Sequence, residues 1–132
     1  MIDIRVAGLR IVHCGDIGER PEGATLAWLR ESPIDLMIVP IGGFFTLGAD
    51  GAAELVERCS PYRALACHSS NDGLSFPQLA PASNLEKRLG RSLPYLDSLS
   101  LDPRAVEADK ERPVIVEHPW CRLRRMELRH DD

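Results

Sequence analysis

Hydrophobic and polar residues alternate from the start of the chain, with Ile2, Ile4 and Val6 separated by Asp3 and Arg5. A period of two marks a strand with one buried face. Ala7-Gly8 reads as a tight connection, and Leu9-Arg10-Ile11-Val12-His13 returns as a second strand that runs into Cys14-Gly15-Asp16. The chain therefore opens with a predicted hairpin. A loop rich in Gly, Glu and Pro follows from Ile17 to Gly23. A helix is predicted over Ala24 to Glu31, with Leu26 and Leu29 one turn apart and Pro33 as its stop. Ile34 to Val39 is apolar throughout except at Asp35, the pattern of a strand buried on both faces of a parallel sheet. Pro40-Ile41-Gly42-Gly43 ends it. Ala52, Leu55, Val56 and Cys59 then fall at helical spacing on one stripe, with Asp50 as N-cap or first-turn acid and Pro61 beyond the helix end. Ala64 to Cys67 is a further short strand, ending at His68.

Beyond Leu74 the pattern weakens. Pro77, Pro81, Pro94 and Pro103 interrupt it, leaving a helix near Asn84 to Leu89 and a strand at Val114-Ile115-Val116. Arg122 to Asp132 reads as a charged tail. The whole fits a single α/β domain over 1–132, with the ordered pattern in 1–72 and a loop-rich segment in 73–132. The sheet is expected to be mixed, an antiparallel hairpin beside parallel strands. An apolar fraction of 44% beside 27% charged residues is that of a globular chain, and 5% aromatics leaves the core to aliphatic side chains. Net charge is −4 and no basic stripe runs along a predicted face, which argues against nucleic acid as a partner. The Arg122–Arg125 cluster is read as solvated surface. No two of Cys14, Cys59, Cys67 and Cys121 form a C-x-x-C pair, so a zinc knuckle is not expected. No signal-like N-terminus or membrane-length apolar run occurs. The expectation is a cytoplasmic chain with reduced thiols and no membrane contact.

Three strands thus end at Asp16, at Pro40–Gly43 and at His68. Helical crossovers are right-handed and leave successive strands parallel, so these ends share the carboxyl edge of the sheet, where α/β folds bind ligands. A carboxylate and a neutral imidazole suit zinc, and also manganese or iron. Gly15 permits a sharp turn that lifts Asp16 over the edge. Gly42 and Gly43 leave room for a close approach. A catalytic zinc usually has three protein ligands and a water, so this pair alone is incomplete. Plainer readings stand beside this one: Asp16 caps a turn, and His68 is an ordinary strand-end histidine. His13 lies within a strand and reads as a supporting residue. Cys14 and Cys67 read as core fillers, with a thiol-containing metal site as the lesser option. His118 reads as a structural or surface residue, and His130 belongs to the tail.

The run Leu9-Arg-Ile-Val-His-Cys-Gly-Asp-Ile-Gly18 resembles the strand and Gly-Asp element of the metallo-β-lactamase superfamily. Ile34 to Gly48, with its Pro-Ile-Gly-Gly and Phe-Thr-Leu, then Ala52–Val56 and His68, continue in that family's order. Within the family the likeness is to the branch of ascorbate-6-phosphate lactonase-like hydrolases, and it covers about residues 1 to 72. The resemblance implies the C-terminal half of an αββα sandwich, one mixed β-sheet with helices on one face, with Asp16 and His68 as ligands of a divalent metal, zinc before manganese or iron. Family members hydrolyse esters, lactones or phosphodiesters with metal-activated water. Three features depart from the family. The His-x-His-x-Asp-His motif of the N-terminal half is absent, as is the next ligand histidine, and several relatives are polar where this chain has Phe44. A partial, inactive hydrolase is therefore expected. It would pair with the missing half on another chain, dimerise through its bare sheet face, or be a truncated product. A non-catalytic interaction domain on the same scaffold is the alternative. A metallophosphoesterase fragment, suggested by Val12–Asp16, ranks lower because that family's Gly-Asn-His is absent.

Overall fold

Ile2–Val6 (β1) and Leu9–His13 (β2) pair antiparallel, with Ile4 opposite Ile11 and Val6 opposite Leu9. The turn between them puts both Ala7 and Gly8 at positive φ, 50° and 80°. That handedness matches the twist of the strands it joins. In this computed structural model the described residues are 1–70, 78–96 and 98–101, with the backbone of 114–116. Gly23–Arg30 (α1) crosses to Leu36–Pro40 (β3), Ala49–Cys59 (α2) crosses to Arg63–Cys67 (β4), and Ser83–Leu89 (α3) precedes Tyr95–Leu96 (β5) and Val114–Val116 (β6). One sheet results, in the order β1-β2-β3-β4-β6-β5, parallel everywhere except at the first hairpin.

The expected parallel run of β2, β3 and β4 is present. In register, Val12 lies beside Met37 and Ala64, while His13 lies beside Ile38 and Leu65. Side chains in register share a face, so the sheet has two different sides. On one side Val12, Met37, Val39 and Ala66 form a core with Leu29 of α1, Ala52, Ala53 and Leu55 of α2, and Leu85 of α3. All three helices therefore cover the same side. The other side carries Ile2, Ile4, Val6, Leu9, Ile11, Ile38 and Leu65, each exposed or half-buried, together with Leu36 and Pro40 of β3, which are buried.

The alternation at Ile2, Ile4 and Val6 reads as a buried face in sequence, and here the structure differs. These side chains are 62, 44 and 54% exposed. The period was that of a strand, but the helices lie on the opposite side, behind Arg10 and Val12. Smaller differences are local. The strand expected from Ile34 begins at Leu36 and includes Pro40. α2 starts at the N-cap Gly48, which has no side-chain cap bond, so Asp50 is a first-turn acid; it pairs with Arg88 of α3 at 3.1 Å. β5, a two-residue strand among the prolines, had no sequence pattern to announce it. The strand at Val114–Val116 is present. The charged tail, Cys121, His118 and His130 lie outside the described residues.

Arg10 is a charged residue in the core, only 4% exposed. It closes the C-terminal end of α1. Its Nη1 donates to the carbonyls of Leu29 (3.0 Å) and Ser32 (2.6 Å), and Nη2 donates to the Trp28 carbonyl at 3.2 Å. Nε donates to Asp3 Oδ2 at 3.1 Å. A planar fork serves several carbonyls orphaned at a helix end, and its charge suits the negative end of the dipole. This fastens α1, and with it the loop that starts at Asp16, against the hairpin.

Candidate metal centre

The site begins with the way the chain leaves each strand. Cys14 N–H donates to the Ile38 carbonyl at 2.9 Å and Ile41 N–H to the Cys67 carbonyl at 3.0 Å, so the ends of β2, β3 and β4 are level. Each then turns through left-handed backbone. Gly15 has φ +64°, Gly43 +69°, Phe44 +57° and His68 +55°. Glycine takes these angles freely, while Phe44 and His68 hold them at a steric cost. The turns release Asp16 and His68 on the same edge. His68 Nε2 lies 3.8 Å from Asp16 Oδ1. The aspartate is 74% exposed and the imidazole 32%.

That separation is too long for a hydrogen bond. It is close to the spacing of two donors on one cation: bonds of about 2.1 Å at the tetrahedral angle hold donor atoms about 3.4 Å apart. The pair thus fits a shared divalent ion with a small closing movement. His68 Nδ1 is buried and has no hydrogen-bond partner among the described residues. Among those residues no group of three or more His, Cys, Asp or Glu is placed to hold a metal.

The supporting residues act through the backbone. His13 Nδ1 accepts the Gly15 N–H at 2.9 Å, which fixes the turn that presents Asp16. A Cβ on Gly42 would run into the His68 carbonyl oxygen and come within 2.9 Å of Leu79 Cδ2. Gly42 is therefore required by close packing against His68. Its carbonyl accepts the Ala80 N–H at 2.7 Å, and the Ala80 carbonyl accepts the Ser70 N–H at 3.0 Å. Gly43 turns at positive φ, and its carbonyl accepts the Thr46 N–H at 3.0 Å. Leu47 N–H donates to the Ile17 carbonyl at 2.8 Å, tying the Pro40–Gly48 loop to the Asp16 loop.

Cys14 is fully buried within the core cluster. Burial pushes its thiol up to about 12, the nearby Cys59 and Cys67 adding to the shift. Cys67 is pushed up to about 11, first by burial and then by the Asp16 carboxylate. Both are neutral thiols near pH 7 in this environment. Phe44, Phe45 and Thr46 were not singled out as site residues by their pattern. The available signal was two adjacent phenylalanines directly after a strand-ending Gly-Gly, in a chain with only three phenylalanines.

Residues 2–68 match the model of the beta-lactamase superfamily domain. The chain belongs to that superfamily. It is 33% identical over 86 residues to a metal-dependent hydrolase of Thermococcus kodakarensis, covering 65% of this chain and 36% of that protein. It is 38% identical over 65 residues to a metal-dependent hydrolase of Thermococcus onnurineus, covering 49% of this chain and 29% of the relative. A Thermotoga maritima protein assigned to the Zn-dependent hydrolases of the metallo-beta-lactamase superfamily superposes with a TM-score of 0.71 at 28% identity. That match covers 86% of this chain and 57% of the other. The chain thus spans about a third of the length of the curated relatives it matches and just over half of the solved structure. The mixed sheet with its helices matches the fold of that superfamily neighbour.

Proposed function

We propose that this chain is the C-terminal half of a metal-dependent hydrolytic domain, supplying Asp16 and His68 as two ligands of a divalent-metal centre. The observation that carries the reading is the 3.8 Å approach of Asp16 Oδ1 to His68 Nε2 above three level strand ends. Zinc suits a carboxylate with an imidazole best, and manganese or iron is also compatible. When bound, the metal supplies an activated water and polarises an ester, lactone or phosphodiester oxygen. Gly15 and His13 orient the carboxylate, and Gly42 seats the imidazole. A third ligand is required from outside the described residues, so the isolated chain is expected to bind metal weakly and to hydrolyse nothing. The remaining ligands would come with a second layer packed on the open sheet face, either the complementary half or a second copy. The cytoplasm, a reducing compartment, fits the free thiols of Cys14, Cys59 and Cys67 among the described residues. Among the described residues no helix is long and apolar enough to cross a membrane.

Zinc titration of the purified chain, followed by backbone NMR and calorimetry, tests this. Zinc should shift the signals around Asp16 and His68, and Asp16→Asn or His68→Ala should weaken binding at least about tenfold without unfolding the chain. Zinc binding that is absent, or equal in both variants, defeats the reading. A non-catalytic scaffold is the second reading, favoured by the lack of a three-ligand group among the described residues. Hydrolysis that appears when the chain is mixed with a polypeptide carrying His-x-His-x-Asp-His would exclude it.

A further inference from the structure

Phe44 and Phe45 sit where a loop in a soluble protein is ordinarily polar. They are 69 and 65% exposed, more than any other large hydrophobic side chain among the described residues. Their rings meet edge to face with centroids 4.3 Å apart. Phe44 holds a left-handed backbone, φ +57°, which glycine or asparagine would adopt with less strain. Burial does not compensate that strain, because the side chain is in solvent. The conformation is imposed by the loop: Gly43 N–H donates to the Leu47 carbonyl at 3.0 Å, and Thr46 donates back to Gly43 through its N–H at 3.0 Å and its Oγ1 at 3.3 Å. Strain that the surroundings enforce and packing does not repay marks a functional position.

The place of the pair decides what that function is. β3 lies between β2 and β4, so the loop leaving it lies between the Asp16 loop and His68. Gly42 abuts the His68 backbone on one side. On the other, the Phe45 carbonyl oxygen is 3.4 Å from where a Cβ on Gly18 would stand, and Leu47 is bonded to Ile17. The aromatic pair is thus held on the rim of the candidate centre by the same backbone that sets the two ligands.

From this juxtaposition we infer that Phe44 and Phe45 form an aromatic lip that selects substrates bearing an apolar or aromatic group next to the linkage presented to Asp16 and His68. The inference rests on the metal-centre reading for its chemistry, but not for its test. Two adjacent ring faces and edges give an apolar substituent a contact that a small polar substrate cannot use. A methyl-sized substituent would not reach across the pair. The lip sets preference, and the carboxylate and imidazole set the reaction.

The full chain is titrated with benzylphosphonate and with methylphosphonate, each with and without zinc, while backbone and ring signals are followed by NMR. Benzylphosphonate should shift the Phe44 and Phe45 signals and bind at least about tenfold more tightly than methylphosphonate. In the Phe44→Ala/Phe45→Ala double variant that preference should vanish, with methylphosphonate affinity and the melting temperature unchanged. Single variants separate the two rings. Equal binding of the two probes, a preference that survives the double variant, or ring-dependent shifts confined to the open sheet face each overturn the lip. Zinc-induced shifts at Asp16 and His68 are read separately. A lip that binds the benzyl group while zinc leaves those signals unmoved defeats the metal centre and keeps the lip. Zinc shifts with no ring preference do the reverse.

Discussion

Gly42 and His68 are neighbours only because one of them has no side chain. A methyl group at Gly42 meets the His68 carbonyl and the Leu79 side chain, and a backbone carbonyl cannot swing aside. Gly42→Ala is expected to destabilise the chain by about 2–3 kcal/mol, as overpacking does. The movement it forces should also displace His68, so zinc-dependent shifts weaken along with the urea midpoint. A variant of wild-type stability would show that the strand ends are more loosely packed than described. The buried thiols act at the same scale. Cys14 is raised from 9.0 to about 12 and Cys67 from 9.0 to about 11. Above pH 9 the unfolded chain releases these protons first and the folded chain keeps them, so the unfolded state binds fewer. Stability from this source is complete below about pH 9 and declines as pH rises through 11 and 12. Urea midpoints at pH 8 and pH 10.5 measure it, and Cys14→Ala should flatten the fall.

At the scale of elements, one side chain serves three carbonyls at the end of α1. Arg10 bonds the carbonyls of Trp28, Leu29 and Ser32 and an aspartate in the same interior. Replacing it with methionine would fill much of the space but orphan the carbonyls and leave Asp3 facing the core. A loss of about 3 kcal/mol or more is expected from breaking such a buried charge. Lysine should recover less than half of it, because an ammonium cannot fork across several carbonyls. Denaturant midpoints of Arg10→Met and Arg10→Lys check this, and equal stability of the two would mean that charge alone suffices. Sequence patterning found Arg10 only as a polar position in a strand. The helix end it serves is 18 or more residues away in the chain, beyond the reach of any local period. The stripe Ala52, Leu55, Val56, Cys59 was readable for the opposite reason. Helical spacing alone puts those residues on one face, and Ala52 and Leu55 are buried in the core.

At the scale of the whole molecule, and among the described residues, the helices cover one face of the sheet, while on the other Leu36 and Pro40 are buried and the β1 side chains are exposed. Ile2, Ile4 and Val6 in β1 continue an apolar surface that runs through Ile11, Ile38 and Leu65. A surface of this kind is expected to associate. The purified chain should elute larger than a monomer at about 100 μM and bind a hydrophobic dye. Ile4→Lys with Val6→Lys should reduce both signals while changing stability by about 0.5 kcal/mol or less per site, since both side chains are already in solvent. A monomer that excludes the dye would count against an uncovered face.

What the order of residues determined by itself is the set of elements and the edge they share. Period-two and helical spacings are local properties, and right-handed crossovers between short strands leave little choice of direction. The meeting of Asp16 with His68 at one edge was therefore legible before any coordinates. Tertiary structure decided the rest: which side of the hairpin the helices cover, the insertion of β6 between β4 and β5, the capture of α1 by Arg10, and the 3.8 Å separation of Asp16 from His68. Those outcomes, that separation among them, depend on groups far apart in the chain competing for the same space. A periodic pattern says which side chains travel together, and only packing says which of them end up covered.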